Sequence, residues 1–123
     1  MNRIAGVVVG HGQLAASLVD AVERIAGAGK GLTAISNTDC DRGTLENRIT
    51  GAVGDGPAIV FIDMPSGSCM FAAMRRLGEM PQVRLVTGVN LAMLLEFVFN
   101  SDGELEEVAR KVAAAGSGAI ELR

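Results

Sequence analysis

The sequence predicts an α/β protein built on a doubly wound parallel sheet, and three observations carry that expectation. Apolar runs rich in β-branched residues, such as Ile4 to Val9 and Pro57 to Asp63, alternate with segments of helical period. Uninterrupted apolar strands belong to sheets that are covered on both faces. Each switch between the two patterns falls on Gly, Asp, Asn or Pro, the residues that turn a chain. With four Phe and neither Trp nor Tyr, the core must come mainly from Val, Ile, Leu, Met and Ala.

Taken in order, the first strand is Ile4 to Val9, ending at Gly10. From Gln13 to Ile25 the apolar residues Leu14, Leu18, Val22 and Ile25 recur at helical spacing, and Gly27 and Gly29 stop the helix. Residues 31–36 form a shorter strand, followed by a helix with Leu45, Ile49 and Val53 on one stripe. The strand 57–63 ends in Asp63. The helix after it is expected to turn Phe71, Met74 and Leu77 inward and Arg75 and Arg76 outward. Residues 83–88 are a fourth strand, and Asn90 is a natural N-cap for a very apolar fourth helix. A fifth helix carries Glu106/Arg110 and Glu107/Lys111 at i, i+4 and closes at Gly116, leaving Ala119 to Leu122 as a last short strand. Right-handed crossovers reduce this order to few topologies, of which the flavodoxin-like sheet order 2-1-3-4 is the expected one.

Composition narrows the function. A chain of 123 residues, 49% hydrophobic and 20% charged, is expected to fold as one domain over residues 1–123. Its net charge of −3 and scattered Arg and Lys, with no aromatic platform among them, argue against nucleic acid as a partner. The apolar stretch 91–99 is too short to span a bilayer and contains Glu96, so no direct membrane insertion is expected. The first apolar run ends in a turn and not in a cleavage site, which makes the expected location cytoplasmic. Cys40 and Cys69 lack CxxC spacing, and a single histidine does not complete an ordinary zinc site with them. Two free thiols, no metal and no cofactor are expected.

The stretch GVVVGHGQLAASL, residues 6 to 18, holds that single histidine, His11, between two glycines. In the expected topology strands 1 and 3 are neighbours whose connections leave to opposite faces, and ligands bind at such a point. The crevice there receives Gly10, His11 and Gly12 from one side and Asp63 through Cys69 from the other. A neutral imidazole is nucleophilic at pH 7 without prior deprotonation, because its ordinary pKa is about 6.5. To accept a phosphoryl group it needs one nitrogen free, the other tied to a carboxylate, and fixed positive potential for the phosphoryl oxygens. Asp63 is the candidate carboxylate. The helix-start residues Gly12 and Gln13 and the loop residues Ser66, Gly67 and Ser68 are the candidate oxygen ligands.

Plainer readings stand beside these. His11 is then a satisfied strand-end histidine, Asp63 a capping acid, and Ser66 and Ser68 a hydrophilic turn. Cys69 reads as a packing thiol in preference to a nucleophile. The same stretch also matches G-x-G-x-x-A at Gly10, Gly12 and Ala15, the outline of a dinucleotide fingerprint. A small nucleotide-binding or regulatory module is therefore the alternative, although no acidic residue ends strand 2 and Asp39 and Asp41 lie only in the following loop. The fourth helix, apolar nearly all round, calls for a homodimer or for deep burial within the chain.

Three motifs in order resemble the mannose-type enzyme IIA domains of the phosphoenolpyruvate-dependent sugar phosphotransferase system. They are GVVVGHGQLAASLVDAVERIAG, VFIDMPSGSCMFAA and VTGVNLAMLLE. The resemblance implies that His11 is phosphorylated by the carrier HPr and passes the group to an enzyme IIB. It implies that Asp63 bonds the imidazole and that Ser68 lies near the phosphoryl group. It also implies a homodimer formed by exchange of a final antiparallel strand, here Ala119 to Leu122. The chain departs from the family's usual Gly-Gly-Ser-Pro loop at Ser66, which replaces the first glycine, and at Cys69, which replaces the proline. Met64 and Pro65 stand where the family often has a polar or aromatic pair.

Overall fold

In the computed structural model, which describes residues 3–123, strands and helices alternate along the chain. They are β1 (Ala5–Gly10), α1 (Leu14–Ala26), β2 (Leu32–Ser36), α2 (Arg42–Val53), β3 (Ala58–Ile62), α3 (Ser68–Leu77), β4 (Val83–Thr87), α4 (Leu91–Phe99) and α5 (Leu105–Gly118). The four strands are all parallel and lie in the order β2-β1-β3-β4, as the sequence predicts. Strand alternation divides the core into two layers. Val7, Val9, Val60 and Ile62 meet Leu45, Ile49, Ala72 and Leu77 of α2 and α3 on one face. Val8, Ile59 and Phe61 meet Val22, Met93, Phe97 and Val112 of α1, α4 and α5 on the other.

That second layer accounts for the apolar α4. It packs against both α1 and α5, so burial within the chain covers Met93, Leu94 and Phe97. Asn90 caps it as expected, its Oδ1 accepting from the Met93 amide at 2.9 Å, while its Nδ2 donates to the Gly116 carbonyl at 3.0 Å. Gly116 does not close α5 but lies inside it. A methyl group there would stand 2.6 Å from Met93 Cε, so the absent side chain is what lets α4 approach. The centre of the layer is Phe61, fully buried and edge-to-face with Phe97 at a centroid distance of 5.4 Å. Phe61→Ala is expected to cost about 3–5 kcal/mol, the usual range for deleting a buried phenyl ring. Urea unfolding checks this, and a loss below about 1 kcal/mol would mean the layer collapses around the gap.

Two helices are rotated from the expected orientation. In α1, Leu18 and Val22 pack in the core as expected, but Leu14 and Ile25 at its two ends are exposed and Ala15 is buried, which turns the ends of the inner stripe by about one residue. In α3 the inward residues are Cys69, Ala72, Ala73 and Leu77, whereas Phe71 and Met74 are about half exposed. Small side chains let α3 lie close to the sheet and α2, and the large ones are left outside. The outward Phe71 ring lies under the Arg42 guanidinium at 4.3 Å, and the buried Glu46 of α2 holds Arg75 and Arg76 at 3.5 Å each.

The expected strand at Ala119 to Leu122 is not formed in the single chain. α5 continues to Gly118 and the residues beyond it carry no regular structure. A strand exists only against a partner edge, and this segment pairs with none here. Among the described residues, no helix is long and apolar enough to cross a membrane.

Candidate functional site

The topology brings the two sequence-distant segments together. β1 and β3 are neighbours in register, Val9 opposite Ile62, so the residues that follow them emerge side by side. His11 and Asp63 follow those ends. The carboxylate of Asp63 binds His11 twice, accepting from the backbone N–H at 3.0 Å and lying 2.7 Å from Nδ1 through the same Oδ2. Because an ionised carboxylate only accepts, this contact puts the ring proton on Nδ1 and leaves the Nε2 lone pair free. The Asp63 side chain is 8% exposed and that of His11 44%, so the carboxylate is buried and the imidazole is open. Among the described residues the other carboxylate oxygen, Oδ1, is buried without a hydrogen-bond partner.

Nε2 faces the start of α3. Ser68 Oγ stands 3.5 Å from it, and Gly67, with φ +94°, brings the backbone past the imidazole so closely that a methyl group there would lie 3.7 Å from Cε1. That dihedral lies in the region that glycine tolerates. The first bond within α3 is from the Phe71 amide to the Gly67 carbonyl. Ser68, Cys69 and Met70 therefore begin the helix with amides that have no partner one turn back, a source of positive potential next to the ring.

The other expected oxygen ligands are distributed unevenly. The Gly12 amide, at φ +58°, already donates to Asn37 Oδ1 at 3.2 Å. Gln13 takes the N-cap position of α1 without a side-chain bond and is exposed. Ser66 lines a shallow depression with Pro65, Gly67, Met70, Phe71 and Met74. Asn37 is the residue that sequence reading missed. Its carboxamide bridges the two halves of the site, Oδ1 on the Gly12 amide and Nδ2 3.4 Å from Ser68 Oγ. The available signal was its place at the end of strand 2, beside strand 1 in the expected order.

Cys69 is fully buried, as a packing thiol should be, yet its Sγ lies 3.8 Å from His11 Nδ1. Burial and, secondarily, the Asp63 carboxylate push its pKa up from 9.0 to about 11, so at neutral pH it is a protonated thiol. His11, Asp63 and Cys69 together place one ligand atom each within 4.8 Å of one another.

No curated protein matches the chain. Solved structures do. The phosphotransferase system component EIIA from Streptococcus agalactiae superposes with a TM-score of 0.88 at 21% identity, over 96% of this chain and 95% of that one. The mannose/sorbose specific IIA subunit from Enterococcus faecalis gives 0.84 at 25% identity, over 98% and 95%. The IIA protein associated with the fucose utilization operon of Streptococcus pneumoniae gives 0.81 at 21%, over 98% and 96%. Residues 5–114 match the family EIIA-man, the "PTS system fructose IIA component". With nearly its whole length so matched, the chain belongs to the EIIA-man family of phosphotransferase-system IIA components.

Proposed function

We propose that residues 1–123 act as one phosphocarrier unit in which His11 Nε2 accepts a phosphoryl group from phospho-HPr and passes it to an enzyme IIB. The observation that carries this reading is the 2.7 Å contact between Nδ1 and Asp63, which leaves Nε2 nucleophilic and open to solvent. In the transfer the donor's P–N bond breaks and its electron pair leaves with the donor ring, while a bond forms from phosphorus to Nε2. The His11 ring keeps its Nδ1 proton, and the positive character it gains faces the Asp63 carboxylate. Ser68, Gly67 and the first amides of α3 lie on the side where the phosphoryl oxygens arrive. Gly12 and Gln13 approach from α1, with Asn37 releasing the Gly12 amide, and Ser66 borders the loop.

The surroundings suit a macromolecular donor. Leu14, Met64, Phe71 and Met74 are each about half exposed; Met64 stands beside Gly67, Phe71 and Met74 line one depression with it, and exposed apolar side chains of this kind mark docking surfaces. Another protein's phosphohistidine reaches an exposed ring, whereas a nucleotide needs an enclosing cleft. The nucleotide-module alternative is not favoured, given the family to which the chain belongs. One solved neighbour is named mannose/sorbose specific and another is associated with a fucose utilization operon, so the names support no single sugar for this chain. The reading places the carrier in the cytoplasm with its two cysteines free, and it requires neither metal nor cofactor.

Incubation with phosphoenolpyruvate, enzyme I and HPr should add one acid-labile phosphoryl group, mapped by mass spectrometry to the peptide containing His11. A phosphoryl group found on another residue, or none, overturns the proposal.

The reading includes a homodimer in which Ala119 to Leu122 of each copy adds to the other's sheet. Two features support it. β4 is an edge strand, and Ile120 and Leu122 are 79% and 101% exposed in the single chain. Light scattering should give a dimer for the full chain and a monomer for one ending at Gly118. A monomeric full chain at micromolar concentration overturns the exchange.

A further inference from the structure

The geometry points to a thiophilic divalent cation, of the Zn2+ type, as a second ligand of this site, held by His11 Nδ1, Asp63 and Cys69 Sγ and acting as an off switch for the imidazole. Histidine and cysteine at the spacing of this sequence do not make a zinc site alone, but the fold adds Asp63 as the third donor. Zinc bonds of about 2.0–2.2 Å to nitrogen and oxygen and about 2.3 Å to sulfur put tetrahedral ligand pairs roughly 3.3–3.6 Å apart. The observed Sγ to Nδ1 distance of 3.8 Å is already close to that. The Oδ2 to Nδ1 pair at 2.7 Å must open by roughly 0.6 Å, which a small rotation of the exposed His11 ring supplies. Among the described residues Asp63 Oδ1 is buried without a hydrogen bond, on a side chain more than nine-tenths buried, so a cation bound through Oδ2 can take Oδ1 as well. Buried polar atoms are normally paired, and a cation beside this carboxylate supplies a partner for it.

The donor set selects the metal. One imidazole, one carboxylate and one thiolate favour Zn2+ and its soft relatives over Mg2+, which demands oxygen ligands in an octahedron. With three protein donors, the fourth position of a tetrahedral zinc goes to a water molecule. The consequence for the ring is a matter of proton count. A neutral imidazole has one N–H and one lone pair, and a cation on Nδ1 takes the lone pair on that nitrogen. The ring proton then sits on Nε2, which no longer attacks phosphorus. The thiol proton goes to solvent as the sulfur becomes a ligand. The thiol that makes this possible stands where the resembling loop carries proline, so the site belongs to this chain's own loop.

The switching half of the proposal rests on His11 as the phosphoryl acceptor, whereas the binding half does not. The test uses the full chain, reduced and freed of metal by a chelator, with Cys40→Ser to remove the other thiol. Co2+ should give a sulfur-to-metal charge-transfer band that saturates at one equivalent and is displaced by Zn2+. Cys69→Ala should abolish the band and weaken Zn2+ binding by more than the roughly 10–100-fold that loss of an outer-shell partner costs. Cys69→Pro is a second variant, because an amide in the first turn of α3 has no helical partner to lose. Zn2+ should slow transfer from phospho-HPr at least tenfold in the parent chain, and in Cys69→Ala leave that variant's own metal-free rate unchanged. Absence of the band, or its persistence in Cys69→Ala, overturns the site. Binding without slowed transfer overturns the switch. A metal-free chain that takes up no phosphoryl group on His11 refutes the carrier reading instead, and leaves the site to the binding result.

Discussion

A His11→Ala chain is expected to take up no phosphoryl group from phospho-HPr while keeping its fold. The neighbouring side chains do not substitute for the imidazole. The Cys69 thiol, pushed up to about 11 and fully buried, is protonated at neutral pH and closed to a donor protein. The Ser68 hydroxyl, 3.5 Å from Nε2 in the intact site, loses the imidazole as a base when the ring is removed. The main-chain part of the site survives, because the His11 amide still donates to Asp63 Oδ2 at 3.0 Å. Intact mass after incubation with the donor system reads the result, and a urea midpoint close to that of the parent shows that folding is not the cause. Undiminished labelling of the variant would place the acceptor elsewhere.

The Asp63→Asn chain should be phosphorylated on the same residue, but about 10²–10⁴-fold more slowly, the usual worth of a positioned acid–base group, with about 10⁴ the loss when a carboxylate that orients a catalytic imidazole is made neutral. Two physical losses combine. The carboxylate accepts only, and so forces the proton onto Nδ1, whereas a carboxamide can turn its NH2 group toward the ring and draw the proton to Nε2. The positive character that the ring gains in the transition state also loses the negative charge 2.7 Å away. Rapid-quench measurement of transfer from phospho-HPr tests this. A rate within threefold of the parent would show that Asp63 only braces the loop through the His11 amide.

How much of this was legible in the sequence differs from element to element. The strands Ile4 to Val9 and Pro57 to Asp63 announced themselves because they are buried on both faces, and burial of that kind leaves an uninterrupted apolar run. Their neighbouring places followed from crossover handedness, which sent His11 and Asp63 to one end of the sheet before any distance was known. The faces of α1 and α3 were harder. In α3 the period of 3.6 residues is satisfied equally by Phe71, Met74 and Leu77 and by Cys69, Ala72, Ala73 and Leu77, and hydrophobicity alone favours the larger side chains. The space between α3, α2 and the sheet chose the smaller ones, and thereby left Phe71 and Met74 about half exposed on the outer side. Asn37 was missed for a related reason, since its role depends on β2 lying beside β1 and not on any spacing along the chain.

The sequence by itself determined the class of fold, the order of the sheet, and the meeting of His11 with Asp63 at one end of it, because each depends on local pattern and on the handedness of connections. Only the tertiary structure decided which nitrogen of His11 is free, that Asn37 ties the Gly12 amide to Ser68, and that Cys69 closes a three-donor cluster around it. These last features are set by distances between segments remote in the chain, and such distances follow from how the helices pack on the sheet. A linear pattern records which side chains are available, and packing settles which of them meet.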